Sequence, residues 1–206
     1  FANYTEGYAH IYPAAIICTG QDTLLAFAEA KRENEPPRYI LVRRSEDRGS
    51  TWGSLEIVSQ SDETFSIGNV CPVVDRQTGT VWLSFCGRPR DRFEDNVFIT
   101  YSDDDGHTWP KRIEITESVK TPEMGYYYTG PGHGSQLANG RLLFPCHHSQ
   151  RNSTQNDFKR WYSQAGSHVF YSDDHGQTWC AGGESDRFMD ECSAVELADG
   201  TVLLSM

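Results

Sequence analysis

Three parts of this sequence carry side chains of types that could do chemistry. They are the adjacent histidines His147 and His148, the carboxylates of the loop Arg32–Arg38, and Glu191 at the start of a strand-like run. Carboxylates can act as general acids or bases, and imidazoles can donate hydrogen bonds or bind metals. Adjacent residues on a strand face opposite sides, so His147 and His148 cannot both face one site. No third ligand is evident near them, and we predict no metal site and no cofactor.

The elements that position these side chains are indicated by an eight-residue pattern that occurs three times. It reads SEDRGSTW at 45–52, SDDDGHTW at 102–109 and SDDHGQTW at 172–179, so every copy fits Ser-x-Asp-x-Gly-x-Thr-Trp. The copies start 57 residues apart (45 to 102) and then 70 residues apart (102 to 172), and such a repeat sets the architecture of a chain. The positions that define the pattern are Ser45, Asp47, Gly49, Trp52, Ser102, Asp104, Gly106, Trp109, Ser172, Asp174, Gly176 and Trp179.

Each copy has the composition of a hairpin turn. The Asp can accept hydrogen bonds from backbone amides, and the Gly can adopt a positive φ. The next strand is expected to begin at the Thr and Trp that follow, and the Trp ring is expected to pack against the turn. Each copy also follows a β-rich run, namely Tyr39–Arg44, Asn96–Tyr101 and Ser167–Tyr171, which predicts a turn between two strands.

Strand-like runs and turn residues divide the chain into similar units. We predict three four-stranded units at about 8–60, 66–117 and 126–185, and the first two strands of a fourth unit at about 190–206. No helical period longer than two turns is present. Four-stranded sheets repeated around an axis form a β-propeller. We therefore predict an all-β fold in one domain that spans residues 1–206.

Composition limits the possible partners of the chain. Eighteen Lys and Arg against 29 Asp and Glu give a formal charge of −11, which leaves no basic surface for nucleic acid or an acidic membrane. No apolar run reaches the roughly 18–20 residues of a membrane span. The six cysteines form no C-x-x-C pair, so structural zinc is not predicted and most cysteines are expected to be buried thiols. Sequons at Asn3 and Asn152 are compatible with a secreted, lysosomal or periplasmic protein, while compartment and oligomeric state stay open.

The chain resembles the sialidase superfamily over nearly its whole length. The three repeats look like the Asp-box of that superfamily, a structural turn between the third and fourth strands of each propeller blade. Four further segments are similar to sialidase motifs: Leu24–Glu29 (LLAFAE), Asn69–Val73 (NVCPV), Thr129–Leu137 (TGPGHGSQL) and Asp190–Leu197 (DECSAVEL). The resemblance implies a six-bladed β-propeller of the sialidase type, of which about three and a half blades are present.

The resemblance also implies an activity, the removal of terminal sialic acid from glycoconjugates by an exo-α-sialidase. Sialic acid carries a carboxylate beside its anomeric carbon, which would repel a carboxylate nucleophile, and sialidases use a tyrosine instead. A glutamate activates that tyrosine, a separate carboxylic acid protonates the leaving oxygen, and an arginine cluster binds the substrate carboxylate. The expected partner is therefore a sialoglycoconjugate.

The resemblance assigns catalytic and cationic roles by position. Glu191 matches the glutamate that activates the tyrosine, with a surface carboxylate at a strand start as the alternative. Glu35 is preferred as the acid over Glu33, the other carboxylate in its loop, although a charged solvated loop would account for both. Arg32, or Lys31 in the rival alignment, matches an arginine that follows the Phe-Ala-Glu segment.

One position departs from the family pattern. The arginine of a Tyr-Arg-Ile-Pro motif aligns with Ile11 in the stretch His10–Pro13, and isoleucine cannot bind a carboxylate. Either His10, Arg32 or Lys31 supplies the cation, or the substrate is not a sialic acid, or the site is inactive.

Two further positions match substrate-facing positions of the family. Glu123 lies seven residues before Gly130 of the Gly-Pro-Gly-His segment, where some sialidases have a glutamate that faces a polar arm of the substrate. His147 follows the third inner hairpin, where family members often have tyrosines that touch the glycerol tail. A histidine could form similar hydrogen bonds.

The remaining family arginines and the tyrosine nucleophile are expected beyond Met206, so we predict that the chain is partial and that this segment alone is inactive. Two alternatives to a sialidase stay open. One is a related propeller glycosidase for another sugar, which Ile11 and the short loop after Arg32 favour. The other is a non-catalytic carbohydrate-binding propeller, because Asp-boxes indicate a fold and not an activity.

Overall fold

The computed structural model describes residues 1–33, 38–92, 94–151 and 163–206, and these ranges form fifteen strands and one short helix. Successive hairpins form because strand-forming runs are separated by Gly, Asp and Asn residues that allow turns. The elements are β1 (His10–Cys18), β2 (Leu24–Lys31), β3 (Arg38–Ser45), β4 (Glu56–Gln60), β5 (Phe65–Val74), β6 (Val81–Pro89), β7 (Asn96–Ser102), β8 (Ile113–Glu114), α1 (Thr116–Val119), β9 (Met124–Thr129), β10 (Ser135–Gln136), β11 (Leu142–Gln150), β12 (Gly166–Ser172), β13 (Cys180–Arg187), β14 (Ser193–Glu196) and β15 (Val202–Ser205).

The strands pair into four antiparallel sheets. The first sheet has the order β1-β2-β3-β4 and the second β5-β6-β7-β8; the third has the order β10-β11-β12-β13 with β9 also on β11, and β14 pairs with β15. In the first sheet Leu24 pairs with Ser45 at one end of β2, and Lys31 pairs with Arg38 at the other end. The first Asp-box, which begins at Ser45, therefore lies at the end of this sheet opposite to Lys31 and Arg38.

The sheets pack face to face through apolar clusters. The cluster between the first and second sheets includes Leu25, Phe27, Ile40, Ile67, Leu83 and Phe85. The cluster between the second and third sheets includes Val73, Trp82, Val97, Tyr127, Phe144 and Trp179. Leu143 of the third sheet meets Ala194 of β14 in a smaller cluster. Each fully buried side chain of this size contributes about 1.5–3 kcal/mol, and the result is the face-to-face sheet packing of a propeller-type all-β fold.

The inner edge of the third sheet differs from the prediction, because two strand segments form it. β9 pairs with the second half of β11, with Thr129 opposite Cys146. β10 pairs with the first half of β11, with Ser135 opposite Leu143. Residues 130–134 between them contain Pro131, which has no N–H to donate to the ladder. The third sheet consequently has five strands and not the predicted four.

A short helix, which the sequence analysis did not predict, follows the second sheet. β8 covers only Ile113–Glu114, and α1 begins at Thr116. The Thr116 hydroxyl accepts a hydrogen bond from the Val97 N–H at 3.0 Å. Val119 at the end of α1 is fully buried in the cluster between the second and third sheets. β8 ends after two residues, and α1 follows it and places the Val119 side chain in the core.

The three Asp-boxes have the same internal hydrogen bonds. In the first, the Ser45 hydroxyl donates to Asp47 Oδ1 at 2.8 Å and accepts from the Gly49 N–H at 2.8 Å. The Thr51 N–H and hydroxyl donate to the two Asp47 oxygens at 2.8 and 2.6 Å. The copies at 102–109 and 172–179 repeat these distances to within 0.1 Å. The bonds from Thr51 lower the pKa of Asp47 to about 2.

The second and third Asp-boxes dock on the preceding sheet. Asp105 accepts a hydrogen bond from the Thr23 hydroxyl at 2.5 Å and lies 3.2 Å from Arg44 Nη2. In the third copy the corresponding residue, His175, places Nδ1 2.7 Å from Asp75 Oδ2. These turns therefore join neighbouring sheets as well as neighbouring strands.

All six cysteines are free thiols. The prediction that most cysteines are buried thiols is confirmed, because Cys71, Cys86, Cys146 and Cys192 are buried, while Cys18 and Cys180 are exposed. Cys18 ends β1 and Cys180 begins β13, so both lie at strand ends where burial is incomplete. In the described ranges, no helix is long and apolar enough to cross a membrane.

Candidate functional site

A cavity of about 200 Å³ lies where the first three sheets approach the start of β14. Its polar lining includes Tyr12, Glu29, Asn69, Tyr128, His147 and Glu191. We call it the Glu191 cavity. Tyr12 pairs with Glu29 across the β1–β2 ladder, near the end of the first sheet that is remote from its Asp-box. The Asp-box turn and the polar site therefore lie at opposite ends of the first sheet.

The position of Glu191 is fixed by its neighbour in the chain. The Asp190 carbonyl accepts a hydrogen bond from the Ser167 hydroxyl at 2.5 Å. The Asp190 carboxylate lies 3.3 Å from His147 Nε2. These contacts from β12 and β11 hold the bend before β14, while the Glu191 side chain is exposed and faces the cavity. An accessible carboxylate on a fixed backbone is available to a ligand.

His147 and His148 face opposite sides of β11, as alternation requires. His147 lines the Glu191 cavity and stacks on Tyr128, with ring centroids 5.1 Å apart. His148 faces β12, and its Nδ1 lies 3.1 Å from Nδ1 of His168. His168 Nε2 is 2.9 Å from the Tyr127 hydroxyl. The two histidines thus belong to separate polar networks.

Burial keeps these imidazoles neutral. It lowers the pKa of His147 below the usual value although the Asp190 carboxylate opposes the shift. It lowers the pKa of His148 to about 4, with Arg187 adding to the effect. Burial also lowers the pKa of His168 well below its usual value. At neutral pH His147 therefore offers the cavity a hydrogen-bonding ring without charge.

Glu29 connects the first and second sheets at the cavity wall. Its Oε1 accepts the Asn69 N–H at 2.5 Å, and its Oε2 lies 3.6 Å from Arg38 Nη1. Asn69 has a φ of +61°, a left-handed conformation that a non-glycine residue adopts at a cost of order 1–3 kcal/mol. The Asn69 carbonyl accepts a hydrogen bond from the Thr129 hydroxyl of β9. Contacts on both sides of Asn69 thus maintain a strained residue at the site.

A second cavity of about 90 Å³ adjoins the first. Its polar lining is formed by Arg38, Ser66, Asn69, Arg88, Asp95 and Tyr128, and we call it the Arg38 cavity. Asn69 and Tyr128 line both cavities. Arg88 forms two hydrogen bonds with the Asp95 carboxylate, both at 3.0 Å. Together the two cavities offer carboxylates, phenols and cations to a polar ligand.

The predicted cationic residues lie outside the linings of both cavities. His10 is exposed at the start of β1, between the rings of Tyr4 and Tyr12. Lys31 ends β2, where it pairs with His10. The Arg32 guanidinium lies over the rings of Tyr8 and Tyr39, at 5.4 and 5.1 Å from their centroids. Such cation–π contacts hold the exposed guanidinium of Arg32 against the first sheet.

Ile11 faces away from the Glu191 cavity. It is 7% exposed and packs in a cluster that contains Tyr8, Ala28, Tyr39 and Leu41. Its neighbour Tyr12 takes the face of β1 that lines the cavity. Ile11 belongs to the core of the first sheet. The isoleucine at position 11 therefore differs from the family arginine in its packing as well as in its charge.

Two other predicted residues have different outcomes. Glu123 is exposed immediately before β9, and its carbonyl accepts the Arg151 N–H at 2.7 Å; it lines neither cavity. Glu35 lies outside the described residues. Within the described ranges, no group of three or more His, Cys, Asp or Glu residues could hold a metal ion.

Sequence reasoning missed several residues of the site. Glu29 and Asn69 lie within segments that carry the family resemblance, but no role was assigned to them. Tyr12 is next to Ile11 and would follow from alternation along β1. Arg38 and Arg88 occur in charged stretches with no distinguishing spacing. These residues are far apart in the sequence and come together only when the strands pair.

Comparisons with known proteins agree with the fold. A family model described as "BNR repeat-like domain" matches residues 22–206. Sialidase-4 of Mus musculus is 31% identical over 202 residues, which cover 89% of this chain and 42% of that protein. The sialidase of Micromonospora viridifaciens is 34% identical over 224 residues, which cover 98% of this chain and 33% of that protein. The chain thus spans between a third and a half of the length of these two curated relatives.

Solved structures give the same result at lower identity. A Hadza microbial sialidase has a TM-score of 0.84 at 22% identity, with 97% of this chain and 42% of that chain covered. A Trypanosoma rangeli sialidase has a TM-score of 0.72 at 16% identity, with 94% and 34% covered. At these identities the similarity shows the propeller-type fold.

Proposed function

The chain belongs to the BNR repeat-like family of the sialidase superfamily, and on that premise we propose that it forms part of an exo-α-sialidase-like glycoside hydrolase. The observation that carries the proposal is the place of Glu191. Its carboxylate is exposed, faces a cavity with His147 and Tyr128, and follows a segment anchored through Asp190. The substrate we propose is a terminal sialic acid on a glycoconjugate.

The chemistry follows from the charge of that substrate. A tyrosine beyond Met206 attacks the anomeric carbon, and Glu191 accepts the phenolic proton as the bond to the tyrosine oxygen forms. The bond to the leaving oxygen breaks as an acid, for which we propose Glu35, donates its proton to that oxygen. Water then attacks the same carbon from the vacated side and loses a proton to the former acid. As it does so, the bond to the tyrosine oxygen breaks and Glu191 returns its proton to that oxygen. Two displacements retain the anomeric configuration.

The full propeller that we propose has six blades. Residues 8–60, 66–117, 126–185 and 190–206 would form three blades and part of a fourth in a single domain. Face-to-face packing of the four observed sheets supports this arrangement. Closure of the ring would pair or cover the exposed sheet edges. His10, Lys31, Arg32, Glu123 and His147 stay predicted substrate-binding residues.

The first test is an assay of the protein expressed from its complete reading frame. We expect release of the fluorophore from a fluorogenic α-sialoside and none from matched neutral and uronic glycosides. Glu191→Gln should lower kcat at least about 100-fold, the usual contribution of a general base. Glu196→Gln is the matched control, because Glu196 only accepts the Ala138 N–H at 2.6 Å, which glutamine can also do.

The panel separates the alternatives. Cleavage of another sugar without sialoside cleavage would replace the proposal with a related glycosidase. A folded protein that cleaves none of the glycosides would favour a carbohydrate-binding propeller. Sialoside turnover that is equal in Glu191→Gln and the unchanged protein would remove Glu191 from the mechanism.

A further inference from the structure

The site lacks a family arginine at position 11, yet an acidic sugar needs a cation to bind its carboxylate. Ile11 packs into the core of the first sheet, and its side chain does not line the Glu191 cavity. Resting on the proposed function, we propose that Arg38 supplies this cation and selects substrates that carry a carboxylate. Arg38 lines the cavity that shares Asn69 and Tyr128 with the Glu191 cavity.

The backbone of Arg38 is held in place at the start of β3. Its N–H donates to the Ser61 hydroxyl at 3.0 Å, and its carbonyl accepts the Ser61 N–H at 2.8 Å. Ser61 is itself buried. The Cα of Arg38 pairs with that of Lys31 across the β2–β3 ladder. The guanidinium therefore extends from a fixed point in the sheet.

Glu29 orients the Arg38 side chain. Glu29 Oε2 lies 3.6 Å from Arg38 Nη1, and Glu29 Oε1 is fixed by the Asn69 N–H. Gly68 leaves the space that this arrangement needs, because a Cβ there would lie 2.8 Å from Glu29 Oε2 and 3.6 Å from Arg38 Nη1. A carboxylate behind an arginine limits the rotation of the guanidinium and directs its remaining N–H groups forward.

Arg38 has the capacity to bind a second carboxylate. Its side chain is 43% exposed, and a single contact at 3.6 Å is longer than a hydrogen bond. The planar guanidinium can therefore still present two N–H groups to a carboxylate in a bidentate pair. Arg88 in the same cavity is already in a bidentate pair with Asp95, which is nearly fully buried. Arg38 is consequently the better candidate of the two.

The test compares a substrate with and without its charge. The full-length protein and its Arg38→Gln and Arg38→Lys variants would be assayed with a fluorogenic α-sialoside and with the carboxamide analogue of that sialoside. We expect Arg38→Gln to lower kcat/KM for the carboxylate substrate by roughly 10- to 100-fold. The carboxamide should change by less than about threefold, and Arg38→Lys should give an intermediate loss because lysine keeps the charge without the planar fork.

Arg141→Gln is the matched control. Arg141 has similar exposure and a bidentate pair with Asp173, but it lines neither cavity. It should leave kcat/KM for both substrates unchanged. Melting temperatures of all variants would show that each is folded. If Arg38→Gln does not fold, Arg38→Lys provides the same comparison of the two substrates.

A binding measurement separates this inference from the proposed function. Free N-acetylneuraminic acid and its methyl ester would be titrated into each variant and followed by calorimetry. If the protein does not cleave the sialoside but binds the acid over the ester in an Arg38-dependent manner, the proposed function fails and the role of Arg38 stands. Equal losses for both substrates, or no preference for the acid in the unchanged protein, would overturn the role of Arg38 even if sialoside cleavage is observed.

Discussion

The two ends of the first sheet are built from different kinds of contact. Within the Asp-box, hydrogen bonds join residues two to four positions apart, such as Ser45, Asp47 and Thr51. At the cavity end, Glu29 bonds to the backbone of Asn69, 40 residues away. The Asp-box pattern recurs three times with the same distances, whereas the cavity contacts occur once. The repeated end therefore determines architecture and the unrepeated end determines the site.

The difference extends to the third sheet. Its Asp-box has the same local bonds as the other two. Its cavity end instead contains the buried imidazoles of His147, His148 and His168, each with a different partner. One end relies on ionised carboxylates in exposed turns, and the other relies on neutral rings in the interior. The two ends should consequently respond differently to mutation and to pH.

The largest effect should come from Gly176, where the third Asp-box packs on the second sheet. A Cβ at Gly176 would lie 2.1 Å from the Trp82 ring, and its φ is +85°. Overpacking costs roughly 1–3 kcal/mol, and a side chain in the left-handed region costs about 1–2 more. Gly176→Ala should therefore lower the free energy of unfolding by about 2–5 kcal/mol in urea titrations of the full-length protein.

Variants at two other glycines separate the cost of backbone strain from the cost of overpacking. Gly79 has a φ of +83° with nothing within 4 Å of a Cβ, so Gly79→Ala should cost only the roughly 1–2 kcal/mol of backbone strain. A Cβ at Gly106 would meet the flexible end of Leu25 at 2.8 Å, which predicts an intermediate loss. If the three variants lose equal stability, docking on the neighbouring sheet contributes nothing beyond the turn itself.

The second effect is acid destabilisation of the cavity end. The folded-state pKa values of His147, His148 and His168 lie below the unfolded-state value. At a pH between the folded and unfolded pKa values, the unfolded chain therefore binds more protons than the folded chain. Stability should therefore fall as pH decreases from about 6.5 toward 4. For His148, whose folded pKa is about 4, the loss is roughly 2–3 kcal/mol. Asp47 and Asp104, with pKa values of about 2, stay ionised in this window.

Melting temperatures between pH 7.5 and 4.5 would measure this dependence. His148→Gln should reduce the slope by removing one titrating ring, although Glu184, Arg187 and His168 still surround that position. His107→Gln is the control, because His107 is an exposed histidine of the second Asp-box and lies outside the cavity end. A melting temperature that is flat from pH 7 to 4.5 would mean that the buried rings are not kept neutral in solution.

The Asp-box end could be predicted from the sequence because its information is local. Ser, Asp, Gly and Thr lie within eight residues and specify one turn, and the strands on either side follow from their apolar runs. The prediction failed where the pattern was interrupted. β9 was missed because residues 130–134 divide one inner strand into two, and α1 was missed because burial of Val119 outweighed the strand pattern.

The cavity end could be predicted only in part. Glu191, predicted from its segment, lines the cavity, and alternation separated His147 from His148. The orientation of Ile11 could not be read from an alignment, because a shift of one residue along a strand exchanges its two faces. The pair of Glu29 and Arg38 depends on strand register, and its geometry depends on Gly68, 30 residues further along the chain. Such long-range packing leaves no local signal.

The smallest effect should come from Asp104, at the centre of the second Asp-box. Its carboxylate accepts three hydrogen bonds, from the Ser102 hydroxyl and from the N–H and hydroxyl of Thr108. Burial alone would raise the pKa of Asp104, but these bonds outweigh it and lower the pKa to about 2. Asp104 is exposed, so water partly replaces the lost bonds, and Asp104→Ala should cost about 1 kcal/mol, similar to the loss of a helix cap.

Asp104→Asn is the matched variant. Its amide oxygen can still accept the bonds from the Ser102 hydroxyl and the Thr108 N–H, both of which go to Oδ1, whereas the bond from the Thr108 hydroxyl to Oδ2 is lost, so it should cost less than alanine. Neither change should alter kcat. The second Asp-box begins at Ser102, which pairs with Val81 at one end of the second sheet, and it does not line the cavity that contains Glu29 and Glu191. The test combines urea unfolding with sialoside kinetics on the same preparations. A fall in kcat at constant unfolding free energy would show that the two ends are coupled, and the separation between the Asp-box end and the cavity end would then be wrong.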